Sequence, residues 1–370
     1  MKITMFVAHM NVGGAQRVCI SLANEFIRLG HDVTIISLNL EKDNDVNTQL
    51  LDKNCHLVSL GADRMRYAIL PMAKYVRKNK PAFILVFGDE MSIILEKLRK
   101  MHIIHLKLVQ RVLNNLNISL QKEDHVPKIV ENYLKKSQVN LKKMDHLISQ
   151  CRGMEQMLLD GKFAEKENIT TIYNPVSRDV ITKTEAIRIP FAKRDQQRTK
   201  EIVFVGRIDP QKNLEHLIRA FEILHRQRPN TRLKLVGNGN SRESVKNLIE
   251  ELKLSESVYL EGITSQIENI YAKADVVALS SEYEGMPNCL IEAIGCGIPV
   301  VSYDCKLGPS EIIEEGVNGY LIPYRDINAL AEGLKKAVDR EWDEKIIQES
   351  CRKFDVKNIA KQYIKVFEQL

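Results

Sequence analysis

One stretch, residues 280–301 (SSEYEGMPNCLIEAIGCGIPVV), constrains the chain more than any other part of the sequence. The apolar run DVVAL just before it predicts a buried strand, and PVVS at its end predicts another. Between these strands, Glu284 and Gly285 are predicted in a loop, and Glu292 on a helix that starts near Pro287. Open α/β sheets bind ligands at the carboxyl ends of their strands, and helix N-termini favour anions. The stretch therefore predicts a ligand site with two carboxylates.

Strands and helices alternate along the chain, which predicts right-handed crossovers and parallel sheets. Residues 91–146 are an exception, because they are helix-prone and rich in lysine. The chain has 370 residues, which is long for one domain and sufficient for two. We predict an α/β protein with two doubly wound, Rossmann-like domains that face each other across a cleft. The predicted domains are residues 1–178 and 200–354, and the polar, basic segment 179–199 is predicted to connect them.

Two cations follow a predicted strand at the start of the second domain. Arg207 comes directly after the strand, and Lys212 lies five residues further on, near the next helix. Two cations at a strand-to-helix turn can hold a diphosphate, which the helix dipole also stabilises. Taken alone, the pair is equally compatible with two surface cations beside a loop.

The Glu-x7-Glu pair of the opening stretch has a chemistry of its own. Ionised Glu284 and Glu292 accept hydrogen bonds and so suit sugar and ribose hydroxyls. Gly285 would let the backbone approach a ligand closely. At the helix start, the backbone amides of Met286, Asn288 and Cys289 are predicted to donate to that ligand. Without the preceding strand, the pattern would indicate only a helix cap and an exposed Glu.

Three further motifs are weaker. Gly13 and Gly14 lie between the first strand and helix, where they could face a phosphate or simply form a tight turn with positive φ. Asp43 and Asp45 form an Asp-x-Asp sequence in a run of polar residues, where a solvated loop is expected in preference to a metal site. Gly237-Asn-Gly239 resembles part of a dinucleotide fingerprint, but position 242 is Arg where the third Gly would be.

Charge and cysteine content indicate where in the cell the protein is located and which partners it could bind. The formal net charge is +6, yet residues 61–145 alone contain 17 Lys/Arg against 8 Asp/Glu. Such a basic region can attract an anionic membrane or phosphates, or can simply be solvated. The 7 cysteines contain no Cys-x-x-Cys pair, and no apolar run reaches the ~20 residues that span a bilayer. We predict a cytoplasmic protein, with any membrane contact at the inner face.

Five motifs together resemble the retaining GT-B glycosyltransferases of family 4, which build bacterial glycans. They span nearly the whole chain: GGAQR at 13–17, NP at 174–175, FVGRIDPQKN at 204–213, EGMPNCLIE at 284–292 and GVNGY at 316–320. The resemblance implies a nucleotide-sugar donor, with UDP as the usual nucleotide, and a glycan or lipid-linked glycan acceptor. It implies neither a metal nor another cofactor, and no nucleic-acid partner.

The resemblance also implies roles for individual residues. Arg207 and Lys212 would bind the donor diphosphate, and Glu284 would contact the transferred sugar. The other donor-binding residues would be Gly14, Ile263, Gly285, Met286, Asn288, Cys289 and Glu292. Of these, Gly14 would approach the phosphate from the first domain, Ile263 would line the base pocket and Glu292 would hold the ribose. The final helix, residues 355–370, would pack back on the first domain.

One departure from the family lies at Arg111. Many members have a His in the segment that corresponds to residues 109–115, and this chain has Arg111. Arginine is permanently charged, so it could bind an acceptor phosphate or a donor oxygen but could not act as a base. We therefore predict that Arg111 binds the acceptor, and that a diphosphate oxygen takes the acceptor's proton.

Two other functions are compatible with parts of the sequence. A Rossmann-type oxidoreductase would need a complete Gly-x-Gly-x-x-Gly after a strand, which the chain lacks. A non-catalytic module could use residues 61–145 to bind an anionic membrane or nucleic acid. The sequence does not identify the sugar, the linkage, the acceptor or the oligomeric state.

Overall fold

The structure is a computed structural model that describes residues 1–11, 13–40, 46–113, 139–195 and 197–370. It forms two compact α/β units. The first contains Met1–Pro175 and Val356–Leu370, and the second contains Val176–Asp355. Each unit has one sheet, and all of the strand pairs in both sheets are parallel.

The sheet of the first unit has seven strands in the order β3-β2-β1-β4-β5-β6-β7. The strands are β1 Lys2–Val7, β2 Asp32–Ser37, β3 His56–Ser59, β4 Phe83–Phe87, β5 Lys107–Arg111, β6 His146–Ser149 and β7 Ile169–Thr171. Among the described residues, the helices of this unit are α1 Gly14–Arg28, α2 Ile69–Asn79, α3 Asp89–Lys100 and α4 Arg152–Asp160, together with a C-terminal helix, Val356–Glu368. Strand order reverses between β1 and β4, as in doubly wound sheets.

The sheet of the second unit has six strands in the order β10-β9-β8-β11-β12-β13. The strands are β8 Lys200–Val205, β9 Thr231–Val236, β10 Val258–Gly262, β11 Val276–Leu279, β12 Val300–Tyr303 and β13 Gly319–Ile322. The helices are α5 Arg178–Ile187, α6 Leu214–Gln227, α7 Arg242–Glu251, α8 Ile267–Lys273, α9 Asn288–Gly295, α10 Pro309–Ile312, α11 Ile327–Asp339 and α12 Glu344–Ser350; the C-terminal helix is then α13.

Central strands are apolar on both faces because helices cover the sheet on each side. Every residue of β4 (FILVF), β11 (VVAL) and β12 (VVSY) is buried. Helix α13 packs on α1 in the first unit through aromatic rings. Phe367 stacks on Phe83 with ring centroids 4.4 Å apart and meets Phe26 edge-on at 6.0 Å. The end of the chain is therefore part of the core of the first unit.

Residues 179–199, which the sequence predicts to be a connection between domains, belong instead to the second unit. Their first part forms α5, and the Ser177 hydroxyl accepts a hydrogen bond from the Val180 amide at its start. Beyond α5, Arg188 and Arg194 donate to backbone carbonyls at the C-terminal end of α8. Cations satisfy the exposed carbonyls of a helix end well. The basic residues that suggested a solvated linker therefore attach this segment to α8 of the second unit.

One local prediction also differs from the structure. The helix-prone segment 91–146 contains β5, which occupies an interior position between β4 and β6. Its last residues, Gln110 and Arg111, are buried polar side chains, so the strand lacks the apolar run that predicts interior strands.

Candidate functional site

The carboxyl ends of β8 and β11 lie side by side in the second unit, where strand order reverses. Ligands of open α/β sheets bind at this kind of position. The loop after β8 contains Arg207 and Lys212, and the loop after β11 contains Glu284. The topology therefore brings together residues that are more than seventy positions apart in the sequence.

Lys212, Glu284 and Ser281 form the centre of the site. Lys212 Nζ donates to Glu284 Oε1 at 2.5 Å, and the Ser281 hydroxyl donates to the same oxygen at 2.6 Å. Both charged side chains are largely buried. A charged pair that is largely removed from water is held by strong, charge-assisted hydrogen bonds. The site thus has a fixed cation and carboxylate at the switch point of the sheet.

Hydrogen bonds from side chains to backbone carbonyls hold the two loops together and fix the position of Lys212. The Ser280 hydroxyl donates to the carbonyls of Lys212 and Asn213 at 3.0 and 2.9 Å. The side chain of Gln211 donates to the Tyr283 carbonyl at 2.8 Å. Asn213 adopts a left-handed conformation, with φ at 44°, that ends the 3-10 turn Pro210–Lys212 before α6 begins. Lys212 is therefore oriented by the backbone as well as by its partner.

Electrostatics keep Lys212 charged. Burial alone would lower the pKa of Lys212, but the adjacent Glu284 carboxylate outweighs burial, so its pKa is raised above the ordinary value of 10.5. The charge is then lost only when the pH rises above this value. Lys212 is therefore a cation throughout the neutral range.

Arg207 occupies a different environment from Lys212. Its side chain is 70% exposed; the guanidinium lies 2.7 Å from the Asp209 carboxylate and donates to Gln211 Oε1 at 3.3 Å. The positive charge of Arg207 is nonetheless near enough to Lys212 to act toward a lower pKa of that lysine. An exposed arginine on a short loop can turn toward an incoming anion, whereas Lys212 is already in place.

Glu292 lies inside α9 and is buried. The hydroxyl of Tyr271, a fully buried residue of α8, donates to Glu292 Oε2 at 2.9 Å. Cys289, one turn earlier on α9, lies within electrostatic range of Lys212, Glu284 and Glu292 together. The structure therefore brings both predicted carboxylates and Lys212 into one cluster.

The thiol of Cys289 is neutral. Burial is the main reason that its pKa is raised to about 12; Lys212 acts in the opposite direction, and the two glutamates add to the increase. A thiol with this pKa is a poor nucleophile near neutral pH. The predicted contribution of Cys289 thus depends on its backbone amide and not on its sulfur.

The loop between Glu284 and α9 is closely packed. A Cβ atom on Gly308, whose φ is 92°, would come within 2.5 Å of the Gly285 carbonyl oxygen. Met286 is buried, and α9 begins at Asn288 immediately after Pro287. Pro287 at the helix start suits the first turn, where no amide donor is required. Gly285, Met286 and Asn288 therefore lie at the start of α9, where the sequence predicts them.

Ile263 is exposed and follows β10 directly. The amide of Gly237, which follows β9, donates to the carbonyl of Gly262 at 2.7 Å. A Cβ on Gly237 would meet the Gly206 carbonyl oxygen at 1.8 Å, so this glycine is needed for close packing between loops. The partial dinucleotide motif therefore has a structural explanation, and Ile263 borders the same group of loops.

In the first unit, Gly14 is exposed and is the first residue of α1. Gly13 has an extended conformation, with φ at −178°, so the positive-φ turn considered from the sequence is not formed there. A Cβ on Gly13 would come within 2.4 Å of the Gln16 side-chain oxygen, which is the end of a flexible side chain that can move away. The phosphate contact of Gly14 stays a prediction.

Arg111 is buried in the first unit and only 1% exposed. Its guanidinium donates to the side-chain oxygen of Asn174 and lies 5.6 Å from the ring centre of Phe87. Burial lowers the pKa of Arg111, and the Tyr363 hydroxyl of α13 acts in the opposite direction. A side chain so enclosed has no surface to offer a sugar. The structure therefore contradicts the prediction that Arg111 binds the acceptor.

Within the residues that the structure describes, no three His, Cys, Asp or Glu side chains are grouped so that they could hold a metal ion. Asp43 and Asp45 lie outside the described residues. In the described part of the chain, no helix combines the length and the apolar character that crossing a bilayer requires.

Several residues of the site are absent from the predicted set. Ser281 and Tyr271 contact the two glutamates, and Ser280 joins the loops. The serines directly follow β11, so their position at a strand end was a usable signal. Tyr271 gave no such signal, because an apolar helical pattern does not distinguish a core tyrosine from one whose hydroxyl meets a buried acid.

Two family models cover almost the whole chain. The model described as Glycosyltransferase Family 4 matches residues 12–180, and the one described as Glycosyl transferases group 1 matches residues 186–355. Both matches include residues of the motifs that carry the resemblance seen in the sequence.

Individual proteins agree with these matches. An uncharacterized glycosyltransferase of Haemophilus influenzae is 26% identical over 345 residues, with 90% of this chain and 89% of the relative covered. A Campylobacter jejuni N-acetylgalactosaminyltransferase that is named for a diphospho-undecaprenol substrate is 24% identical, with 100% and 96% covered. The match to some other relatives spans only 20% or 30% of their length. TarM of S. aureus, solved with UDP, has a TM-score of 0.79 at 15% identity, with 99% of both chains covered.

Proposed function

Because the chain belongs to the GT-B glycosyltransferases of the family 4 type, we propose that it transfers a sugar from a UDP-sugar to a hydroxyl of a bacterial surface glycan. The acceptor is a growing polysaccharide or lipopolysaccharide chain, or a lipid-linked oligosaccharide. The names of the relatives support this class of acceptor, and the UDP bound to TarM supports the nucleotide. The transferred sugar is a hexose or an N-acetylhexosamine.

The observation that carries the proposal is the Lys212–Glu284 pair at the switch point of the second sheet. A diphosphate needs a cation that is fixed before the ligand arrives, because such a cation requires little reorganisation during the reaction. Lys212 meets this requirement, since its backbone and its charge are both held in place. Arg207, which is exposed on the same loop, would add a second cation.

The remaining residues would each contact a different part of the donor. Glu284 would accept hydrogen bonds from the transferred sugar, together with the amides of Met286, Asn288 and Cys289. Glu292 would accept from the ribose, and Ile263 would border the base. Carboxylates are suited to such contacts because they only accept hydrogen bonds and sugar hydroxyls can donate them. Gly14 of the first unit would contribute a phosphate contact.

We propose that transfer retains the anomeric configuration and requires no metal. The acceptor oxygen attacks the anomeric carbon on the face from which the diphosphate leaves. The bond from that carbon to the diphosphate oxygen breaks as the new glycosidic bond forms, and the acceptor's proton passes to a diphosphate oxygen. Lys212 and Arg207 stabilise the negative charge of the departing UDP, which is the role a metal ion would otherwise have.

The reaction can be tested with a panel of nucleotide sugars and NMR of the products. We expect turnover of one UDP-sugar, an unchanged anomeric configuration in the product, and no loss of rate when EDTA is added. Inversion of configuration would contradict the mechanism. Loss of activity in EDTA would contradict metal independence and would direct attention to Asp43 and Asp45. Turnover of a nicotinamide cofactor, without consumption of a nucleotide sugar, would contradict the proposal and would favour a Rossmann-type oxidoreductase.

Tyr271→Phe tests the role of Glu292. The change removes the hydroxyl that donates to Glu292 Oε2 and leaves the aromatic ring in the core. Hydrogen bonds to charged groups contribute ~1.5–3 kcal/mol, so we expect KM for the donor to rise ~10-fold while kcat changes little. The increase should disappear for a donor that lacks the ribose hydroxyls.

Tyr259→Phe is the matched control for this experiment. The hydroxyl of Tyr259 donates to the Glu256 carbonyl, in the same unit but away from the cluster. Its loss should leave KM unchanged. An equal rise of KM in both variants, or a rise in Tyr271→Phe that persists without the ribose hydroxyls, would contradict the role of Glu292.

A further inference from the structure

A cavity of about 410 Å³ lies at the amino ends of β5, β6 and β7 in the first unit, and is here called the amino-end cavity. Two of its lining residues, Lys107 and His146, are the first residues of β5 and β6. Two others, Glu167 and Asn168, come just before β7, and residues at the end of α13 complete the wall. Ligand pockets of proteins have volumes of ~300–1,000 Å³. The cavity is therefore large enough for a small organic ligand.

The amino-end cavity is separate from the candidate site. Open α/β sheets bind their usual ligands at the carboxyl ends of the strands, and this cavity is at the opposite edge of the sheet. Strand β5 has 5 residues, each ~3.3 Å long, so its two ends are roughly 16 Å apart. None of the described residues that line the cavity belongs to the candidate site of the second unit. A ligand here would thus not occupy the place at which sugar transfer is proposed.

His146 is an enclosed polar side chain in the wall of the cavity. It is only 8% exposed. Its Nε2 forms a hydrogen bond with the Thr170 hydroxyl at 2.9 Å, and within the described part of the chain Nδ1 forms none. Burial lowers the pKa of His146 below its ordinary value of 6.5, so the ring is neutral near pH 7. The Nδ1 atom of a neutral imidazole can donate or accept, and here it is left for a ligand in the cavity.

Charged groups of both signs line the amino-end cavity. Lys107 Nζ lies 3.5 Å from Asp145 Oδ1. The other Asp145 oxygen accepts hydrogen bonds from the Leu108 amide and the Arg99 guanidinium, so this carboxylate is satisfied by the protein. Lys107 is about half exposed and can donate to a further acceptor. The Glu167 side chain is exposed and, among the described residues, has no cationic partner. The groups that a ligand could reach therefore include one cation and one carboxylate.

We propose that the amino-end cavity binds a neutral saccharide and is a second glycan site of the chain. The Glu167 carboxylate, the Lys107 ammonium and His146 Nδ1 would contact its hydroxyls, which both donate and accept hydrogen bonds. The exposed Asn168 amide offers one more donor and one more acceptor. Such a site would hold a part of the acceptor glycan that is distant from its growing end, and in this respect the proposal rests on the proposed function.

Other classes of ligand suit the lining less well. A nucleotide or another polyanion would be repelled by the carboxylates of Asp145 and Glu167. A metal ion would need a group of His, Cys, Asp or Glu ligands, and the described residues contain no such group. Met144 and Val366 are buried apolar residues of the wall, which suit the C–H face of a sugar ring. The remaining rival is a free amino acid, whose two charges could pair with Lys107 and Glu167.

A microarray of neutral bacterial oligosaccharides, probed with the labelled full chain and without a UDP-sugar, tests the proposal. We expect at least one oligosaccharide to bind, and its Kd is then measured by titration calorimetry. Lys107→Ala and Glu167→Ala should each weaken this binding ~10-fold or more, because each removes a hydrogen bond from a charged group. Both side chains are at least half exposed, so thermal unfolding of the variants should be unchanged. Absence of binding to every oligosaccharide, or a Kd that neither variant alters, would overturn the proposal.

Lys336→Ala and Glu332→Ala are the matched controls, since they remove an exposed lysine and an exposed glutamate from α11 of the second unit. We expect both to leave the Kd within ~3-fold of the wild-type value. If they weaken binding as much as the cavity variants do, the saccharide is not bound in the cavity and the proposal fails.

Two further measurements separate the remaining explanations. If free amino acids bind instead of oligosaccharides, and Lys107→Ala and Glu167→Ala weaken that binding, the cavity is an amino-acid site and the proposal fails. Hydrolysis of the UDP-sugar without an acceptor should be unchanged in both cavity variants. Failure of saccharide binding is therefore distinguishable from failure of the proposed reaction.

Discussion

Lys212→Ala is expected to lower kcat for sugar transfer by ~10²-fold or more, because the departing UDP loses the cation that is fixed closest to it. KM for the donor should rise as well, since Lys212 would contact the diphosphate before and during transfer. Initial rates with the natural UDP-sugar, measured beside thermal unfolding of the same preparation, give both numbers. A kcat near that of the wild-type chain would contradict the role of Lys212.

Two further variants separate catalysis from folding in this experiment. Removal of Lys212 leaves Glu284 largely buried without its cation, which should lower the free energy of unfolding by ~3 kcal/mol. The double variant K212A/E284A removes both charges, so it should regain stability and remain inactive. Lys345→Ala, which removes an exposed lysine of the same unit, should change neither quantity.

Glu284→Gln is expected to lower kcat by ~10²-fold with a smaller change in KM, as is typical of an interaction that is strongest in the transition state. The substitution keeps the size of the side chain but removes the charge that Lys212 and Ser281 share. Lys212 would then lose its fixed partner, and the sugar would lose an acceptor-only group. Rates at saturating donor concentration provide the measurement.

Glu282→Gln is the natural control, because it makes the same chemical change two residues away. The Glu282 carboxylate accepts hydrogen bonds from Asn213, Tyr324 and Arg325 and does not contact Lys212. Burial raises the pKa of Glu282, but the hydrogen bonds from Arg325 and Tyr324 outweigh it and the pKa is lowered overall. Its contribution to stability is thus present above its ordinary pKa of 4.5 and is lost in acid. Stability should decrease in Glu282→Gln while kcat stays within ~3-fold; an equal loss of kcat in both variants would contradict a specific role for Glu284.

Most of the fold follows from local patterns in the sequence. Buried apolar runs such as FILVF and VVAL predict strands that are covered on both faces, and the helices between them predict parallel crossovers. Strand β5 is not predicted in this way, because its last two residues, Gln110 and Arg111, are polar. Their hydrogen-bond partners, Asp89 and Asn174, are distant in the sequence, so nothing local shows that two polar side chains can be buried there.

In the candidate site too, local sequence patterns predict some residues, and contacts between distant parts of the chain determine the others. Glu284, Glu292 and Lys212 each lie at the end of a predicted strand or on the helix after it, and parallel topology alone implies that strand ends converge. Tyr271 and Ser281 act through side-chain contacts that depend on how helices and loops pack, which periodicity does not encode. Arg111 illustrates the converse error, since a charged residue at a strand end is predicted as accessible but its side chain is enclosed by Asn174 and Phe87.

A crystal structure of the full chain with UDP is the most direct test of the central claim. The account predicts that the diphosphate contacts Lys212 Nζ and the Arg207 guanidinium, and that the ribose hydroxyls donate to Glu292. UDP bound elsewhere on the chain, with Lys212 still paired only to Glu284 and no ligand at the ends of β8 and β11, would contradict it.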